Sequence, residues 1–158
     1  KIKGFSILDE QLHCLATAKL AASMVKPELK QDAMIAGLLH DIGKVVLFEV
    51  NEKATALFFM HRINDDNNIA LENKIFASDH SHVGGYLLHI WGFSYHIIEA
   101  IVLHHRPEKL LQKNFGVAQA VYLANVLVHQ QTPDAEFISH YKLADVITAL
   151  TRRADKLI

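Results

Sequence analysis

Apolar residues in this chain recur at helical spacing in one segment after another, and nearly every segment closes on a residue that ends helices. Leu8, Leu12, Leu15, Ala16, Leu20 and Met24 predict a first helix over about Leu8 to Val25, which Pro27 stops. A second helix runs through Asp32, Ala33, Ala36 and Leu39 and ends near Asp41, where Gly43 suits the left-handed conformation that follows a helix. Val45 to Val50 is β-branched but short and isolated, and reads as one or two helical turns. Asn51 is an N-cap for a helix through Ala54, Leu57, Phe58 and Met60, which gives way to a polar turn at Asn64, Asp65, Asp66, Asn67 and Asn68. A further helix covers about Ala70 to Phe76. Ser78 or Asp79 caps the next, which carries His80, Val83, Gly84, Leu87, Leu88 and Trp91 to a stop at Gly92. Ser94 caps another through Ile97, Ile98, Ala100, Ile101, Leu103 and His104, until Pro107 ends it. Val117 to Val128 and Pro133 to about Leu157 complete the set. No internal repeat and no convincing strand pair interrupts this pattern, so the expected class is all-α.

The length of 158 residues suits one domain, which at this size buries about 68–70% of its unfolded surface and needs no staples. With 16 basic and 17 acidic residues the formal charge is −1, so no global field draws in nucleic acid or an anionic membrane. The single cysteine, Cys14, excludes an intrachain disulfide framework and a Cys-rich zinc site, which suits a reducing cytoplasm. No apolar run reaches a membrane span and no leader opens the chain, so a soluble protein without membrane partners is expected. It opens on Lys1 without an initiator Met, and the expectation is therefore a single domain over 1–158 taken from something longer.

Histidine is the outlier, at 11 residues. The sharpest feature is Leu38-Leu39-His40-Asp41-Ile42-Gly43-Lys44, a helix end that sets an imidazole beside a carboxylate. Neighbouring side chains on a helix point about 100° apart, so one cavity receives both only where the backbone ends or bends, which Gly43 allows. Neutral His with ionised Asp suits Fe, Mn, Ni or Zn better than Mg or Ca. A lone His-Asp dipeptide is equally a pair of helix-end hydrogen-bonding groups. Its company decides: His13 on the first helix, His80 at a helix start, and His104–His105 at a helix end before Pro107.

The order His13, His40–Asp41, His80, His104–His105 resembles the HD superfamily of metal-dependent phosphohydrolases. Within it, "AGLLHDIGKVVL", "DHSHVGGYLLHIWGFSYHIIEAIVLHHRPE" and "AVYLANVLVH" resemble the HDOD branch, over about Leu8 to His129. "QLHCLATAKLA" is similar to that family's first-histidine helix, and the tail from Pro133 to its closing helices. The resemblance implies an HD-type helical bundle. It implies metal-ligand roles for His13, His40 and Asp41, with His80, His104 and His105 added in binuclear relatives of the HD-GYP branch. The family's last ligand is an aspartate, and Asn125 stands at the matching position. A neutral amide there removes a charge and lowers metal affinity. The loop "RPEKLLQKNFG" lacks the Gly-Tyr-Pro signature, so cyclic-di-GMP hydrolysis is not implied.

Two functions follow as expectations. One is an HDOD-type signal-transduction module that contacts other signalling domains or proteins and holds a divalent metal, with one or two ions. The other is an active phosphohydrolase on a nucleotide or other phosphorylated small molecule, with Asp41 and Lys44 as catalytic residues. A bound metal would supply it with an activated water and a polarised phosphoryl oxygen. Lys44 is either a phosphate partner or a solvated lysine after the helix end, and Arg106 is read as solvated. Gly84 either admits a neighbouring helix near the pocket or marks a kink. Trp91, with Leu87, Leu88 and Phe93, reads as core, and His61, His82, His89, His96, His129 and His140 as surface or supporting residues.

Overall fold

Four side chains start helices by accepting a backbone N–H three residues on: Ser6 from Asp9, Asn51 from Ala54, Asp79 from His82 and Asp134 from Phe137. In the computed structural model, which describes residues 4–62 and 68–158, these caps open α1 (Ile7–Met24), α4 (Glu52–His61), α6 (His80–Ile90) and α9 (Ala135–His140). The remaining helices are α2 (Lys30–Leu39), α3 (Ile42–Val50), α5 (Ile69–Phe76), α7 (Tyr95–Leu103), α8 (Val117–Val128) and α10 (Ala144–Ala154). Short 3-10 turns at Pro27–Leu29 and Pro107–Lys109 begin on the two prolines that the sequence marks as breaks. Among the described residues there is no strand, and the fold is all-α. No helix among them is long and apolar enough to cross a membrane. Of the polar turn expected at 64–68, only Asn68 lies within the described residues.

Every residue of α8 is buried, which is the expected fate of a helix apolar on all sides. It runs through the centre, with α1, α2, α7 and α10 packed around it. Leu20, Leu88, Ile101, Leu110, Val121, Leu123 and Phe137 form the closed heart of this core. Burying each such side chain contributes about 1.5–3 kcal/mol. A smaller aromatic cluster of Phe48 and Phe58, with Phe5, Phe59 and Phe76, joins α3, α4 and α5 to the start of the chain.

Three expectations change on inspection of the packing. Gly43 has no positive φ and lies in the first turn of α3. The bend falls instead at His40 (φ −57, ψ −31) and Asp41 (φ −102, ψ 8), where α2 passes almost directly into α3. Glycine is required at 43 because a Cβ would collide with the His80 carbonyl oxygen and come within 2.8 Å of the Gly84 nitrogen. Gly84 in turn admits α3 and α7, its own Cβ position lying 3.2 Å from Ile101 and 3.3 Å from Ile42. Trp91 is 57% exposed and is not core, while Leu88 beneath it is fully buried. It caps the end of α6 just before Gly92, whose φ of 77 turns the chain toward α7. On α1, Leu8, Leu12 and Leu15 are exposed. The small residues Cys14, Thr17, Ala18, Ala21 and Ala22 face inward instead, letting α2 and α8 approach closely. The tail from Pro133 divides into α9 and α10 at Lys142, whose φ is 54.

Urea unfolding of two glycine variants separates close approach from backbone freedom. Gly43→Ala should cost about 3 kcal/mol or more, because helix backbones must separate. Gly92→Ala, where the Cβ meets open space, should cost only the left-handed penalty of about 1–2 kcal/mol. An equal or smaller loss for Gly43→Ala would contradict this account of the α3–α6 contact.

Candidate metal centre

The passage from α2 into α3 drives one carboxylate into the interior, and the two oxygens of Asp41 face different partners. Oδ2 lies 3.1 Å from His40 Nε2 and 3.7 Å from His13 Nε2, and accepts from Lys44 Nζ at 2.6 Å. Oδ1 lies 3.1 Å from His80 Nε2 and 3.6 Å from His104 Nε2. Asp41, His40, His80 and His104 are all buried. The imidazoles arrive from four elements: α1 supplies His13, the end of α2 His40, the first residue of α6 His80, and the end of α7 His104. His105 packs its ring against His80 and His104, with centroids 5.1 and 4.1 Å away, and belongs to the same cluster.

Hydrogen bonds at the far side of three rings fix how they point. Nδ1 of His40 donates to the Gly37 carbonyl at 2.8 Å, and Nδ1 of His104 to the Ile101 carbonyl at 2.6 Å. His80 Nδ1 donates to the buried Glu72 carboxylate at 2.7 Å, and the His80 backbone N–H reaches the same carboxylate at 2.8 Å. Each arrangement places the proton on Nδ1 and aims Nε2 at Asp41. The Nε2 atoms of His13 and His40 then stand 3.1 Å apart, and those of His80 and His104 3.2 Å apart. Both are hydrogen-bond distances, which the raised His40 and His80 can span by donating to the neutral His13 and His104.

Charge in the pocket points the same way. Burial pushes His13 down to about 2 and His104 down to about 4, and holds His105 well below its ordinary value, so these rings are neutral with free lone pairs. Burial also opposes a proton on His40 and His80, but Asp41 beside both, and Glu72 behind His80, raise them nonetheless. The carboxylates thus draw positive charge to this point. Asp41 Oδ1 and the Oδ1 of Asn125 are buried without a hydrogen-bond partner. Two histidine groups each carry enough donors for an ion, Asp41 with His80, His104 and His105, and Asp41 with His13 and His40. The residues present therefore fit a divalent metal.

Asn125 sits buried on α8, one turn before His129. Lys44 is not solvated: it bridges Asp41 and Glu10, at 2.6 and 3.1 Å. Burial raises Glu10 to about 7, with Asp41 adding to the effect and Lys44 opposing it. Arg106 is likewise not simply solvated. It pairs with Asp79 at 3.1 Å and contacts His82 at 3.0 Å, fastening the loop after His105 to the cap of α6. A cavity of about 600 Å³ opens beside the cluster, with Glu10, His13, Lys44, His80, His105 and His129 on its polar side and Phe5, Phe48 and Phe58 on the other.

Three of these residues escape a reading of the sequence as functional: Glu10, Glu72 and His129. His129 stacks on His13 with centroids 4.1 Å apart. Glu10 lies one turn before His13 on the same face of α1, a signal that was available. Glu72 lies on a separate helix eight residues before His80, and no spacing rule connects them.

A family model described as HDOD domain matches residues 2–107, a span that includes every histidine of the cluster and excludes Asn125. No curated protein matches the chain. Among solved structures, a candidate phosphohydrolase from Shewanella amazonensis SB2B is similar, with a TM-score of 0.75 and 18% identity. The likeness covers 99% of this chain and 62% of that one, so this chain spans less than two thirds of its relative. At that identity it establishes the HD-type helical fold.

Glu72→Ala removes the acceptor that orients His80. Titration calorimetry with zinc should show affinity about 10–100-fold weaker than wild type, the usual cost of losing a partner behind a ligand. Unchanged affinity would show that Glu72 does not set the His80 ring.

Proposed function

The chain belongs to the HDOD domain family, and from that premise we propose that it is a regulatory domain of a longer signalling protein whose pocket holds a divalent transition metal. The observation that carries the proposal is Asp41, a buried carboxylate whose Oδ1 lacks a hydrogen-bond partner and around which imidazoles from α1, α2, α6 and α7 converge. Nitrogen-rich ligands favour Fe, Mn, Ni or Zn over Mg. The two histidine groups sharing Asp41 support two ions, and the neutral Asn125 argues for weaker retention than a second carboxylate would give. An ion bound there ties four helices together, so occupancy stabilises their arrangement and can be read by a partner. Tyr86, Ile90, Trp91 and Tyr95 stand exposed on α6 and at the start of α7, which supports contact with other signalling domains or proteins.

A second reading, metal-dependent hydrolysis of a nucleotide or other phosphoester, is favoured by the cavity of about 600 Å³ that opens onto the cluster. The metal, when bound, would supply Lewis acidity and an acidified water. The chain's own contribution would be Asp41 as anchor and Lys44 as a phosphate partner, which requires Lys44 to exchange Asp41 and Glu10 for substrate. That prior engagement of Lys44 argues for the regulatory reading.

Metal analysis of untagged protein purified without chelator, joined to a phosphodiesterase and phosphatase panel with added Mn or Fe, separates the two. We expect bound metal and no turnover above background, with metal lost from His40→Ala and Asp41→Ala. Turnover in the wild type that either substitution abolishes would overturn the regulatory reading, and absence of metal would overturn both. Metal at about 100 times its Kd should also stabilise the wild type by about 2.7 kcal/mol against urea. Asp41→Ala should lose that increment.

A further inference from the structure

The cavity of about 600 Å³ beside the cluster has two unlike walls. One presents the imidazoles of His13, His80 and His105, and the other the rings of Phe5, Phe48 and Phe58. Leu12 and Leu157 extend the hydrocarbon side. Leu12 is 58% exposed, so it stands at the rim, where a ligand would enter. A space of this size, apolar over much of its lining with a few convergent polar groups, is the form of a small-molecule site. Charge narrows the occupant. A divalent ion beside the single carboxylate of Asp41 leaves at least one positive charge uncancelled, because Lys44 is already balanced by Glu10. Beyond the ion, the described lining sets three carboxylates, those of Asp9, Glu10 and Glu72, against two cations, Lys44 and Arg62. Lys44 is held by Asp41 and Glu10, and Arg62 lies over the Phe59 ring, 4.7 Å from its centroid. The pocket therefore favours one negative charge and opposes a second or third. Ribose hydroxyls laid against the Phe wall would also lose water without gaining partners. Both arguments disfavour a nucleotide and favour a hydrocarbon body with one anionic head.

We infer that this cavity takes an apolar monocarboxylic acid, with its carboxylate at the metal beside His13, His80 and His105 and its hydrocarbon body between the Phe wall and Leu12. The inference rests on the metal-holding regulatory reading given above and deepens it by naming the chemical class that the pocket recognises. Such a ligand has no phosphoester to cleave and is bound unchanged. Its body spans from Leu12 on α1 to Phe48 on α3 and Phe58 on α4, so it joins the aromatic cluster to the metal centre.

Straight-chain hexanoate, octanoate and decanoate are the probes, titrated calorimetrically into the intact zinc-loaded chain after excess zinc is removed, with AMP as the nucleotide control. The expected result is one acid per chain, with affinity rising about fourfold for each added methylene, as burial in hydrocarbon gives. AMP should not compete at matched concentration. Leu12→Asp sets a charge against the hydrocarbon body at the rim and touches none of the metal donors. It should weaken decanoate at least about tenfold, while zinc content by elemental analysis stays at the wild-type value. A zinc-loaded wild type that takes no decanoate, or takes AMP more tightly, would overturn the inference and leave the metal reading standing. Decanoate held equally well by Leu12→Asp would place the acid elsewhere and overturn it as well. A wild type that holds no zinc would overturn the metal reading and, with it, the anchor for the carboxylate.

Discussion

A single buried carboxylate organises this molecule. Asp41 is carried inside by the bend between α2 and α3, and it stays charged there because imidazoles and Lys44 surround it. Burial alone would raise its pKa, but His40 and Lys44 outweigh that and hold it well below the ordinary range. A buried charge stripped of partners is expensive, on the order of 3–5 kcal/mol. The surrounding structure is therefore committed to supplying partners. Gly43 and Gly84 let α3 and α6 touch, which brings His80 to Oδ1. The ends of α2 and α7 deliver His40 and His104 through matching bonds from Nδ1 to the carbonyl three residues earlier. The same local geometry, used twice, places two ligands.

Much of this was legible in the sequence. Caps at Asn51 and Asp79, breaks at Pro27 and Pro107, and the apolar run Val117–Val128 mark elements whose signals are local, and the structure places them as read. The histidines at helix ends were visible for the same reason. What could not be read depends on contacts between distant segments. Gly43 after a helix end looks like a left-handed cap, and only the His80 carbonyl packed against it reveals a contact glycine. Trp91 has the composition of core, but position along α6 decides its exposure. Glu72 reaches His80 from another helix, and His129 reaches His13 across the α1–α8 packing. Lys44 follows the His-Asp pair closely enough to suggest a free cation, yet Asp41 and Glu10 both hold it.

Charge dominates the chemistry of the pocket. The pocket has one central carboxylate, Asp41, and its nearby lysine, Lys44, is already engaged by Asp41 and Glu10. The arrangement behind the ligands is nonetheless strict: Glu72 on His80, and Arg106 binding Asp79 beside it, fix the rings before any ion arrives. The rings so fixed come from α1, α2, α6 and α7, so the cluster ties the packing of these helices together.

The central claim is that positive charge belongs at Asp41. Anomalous diffraction from crystals of the zinc-loaded chain, recorded at the zinc edge, tests it most directly. The account predicts a peak about 2.0–2.2 Å from an Asp41 oxygen and from Nε2 of His13 and His40, or of His80 and His104. Zinc found only on outlying histidines such as His61 or His140, with no peak at Asp41, would contradict it.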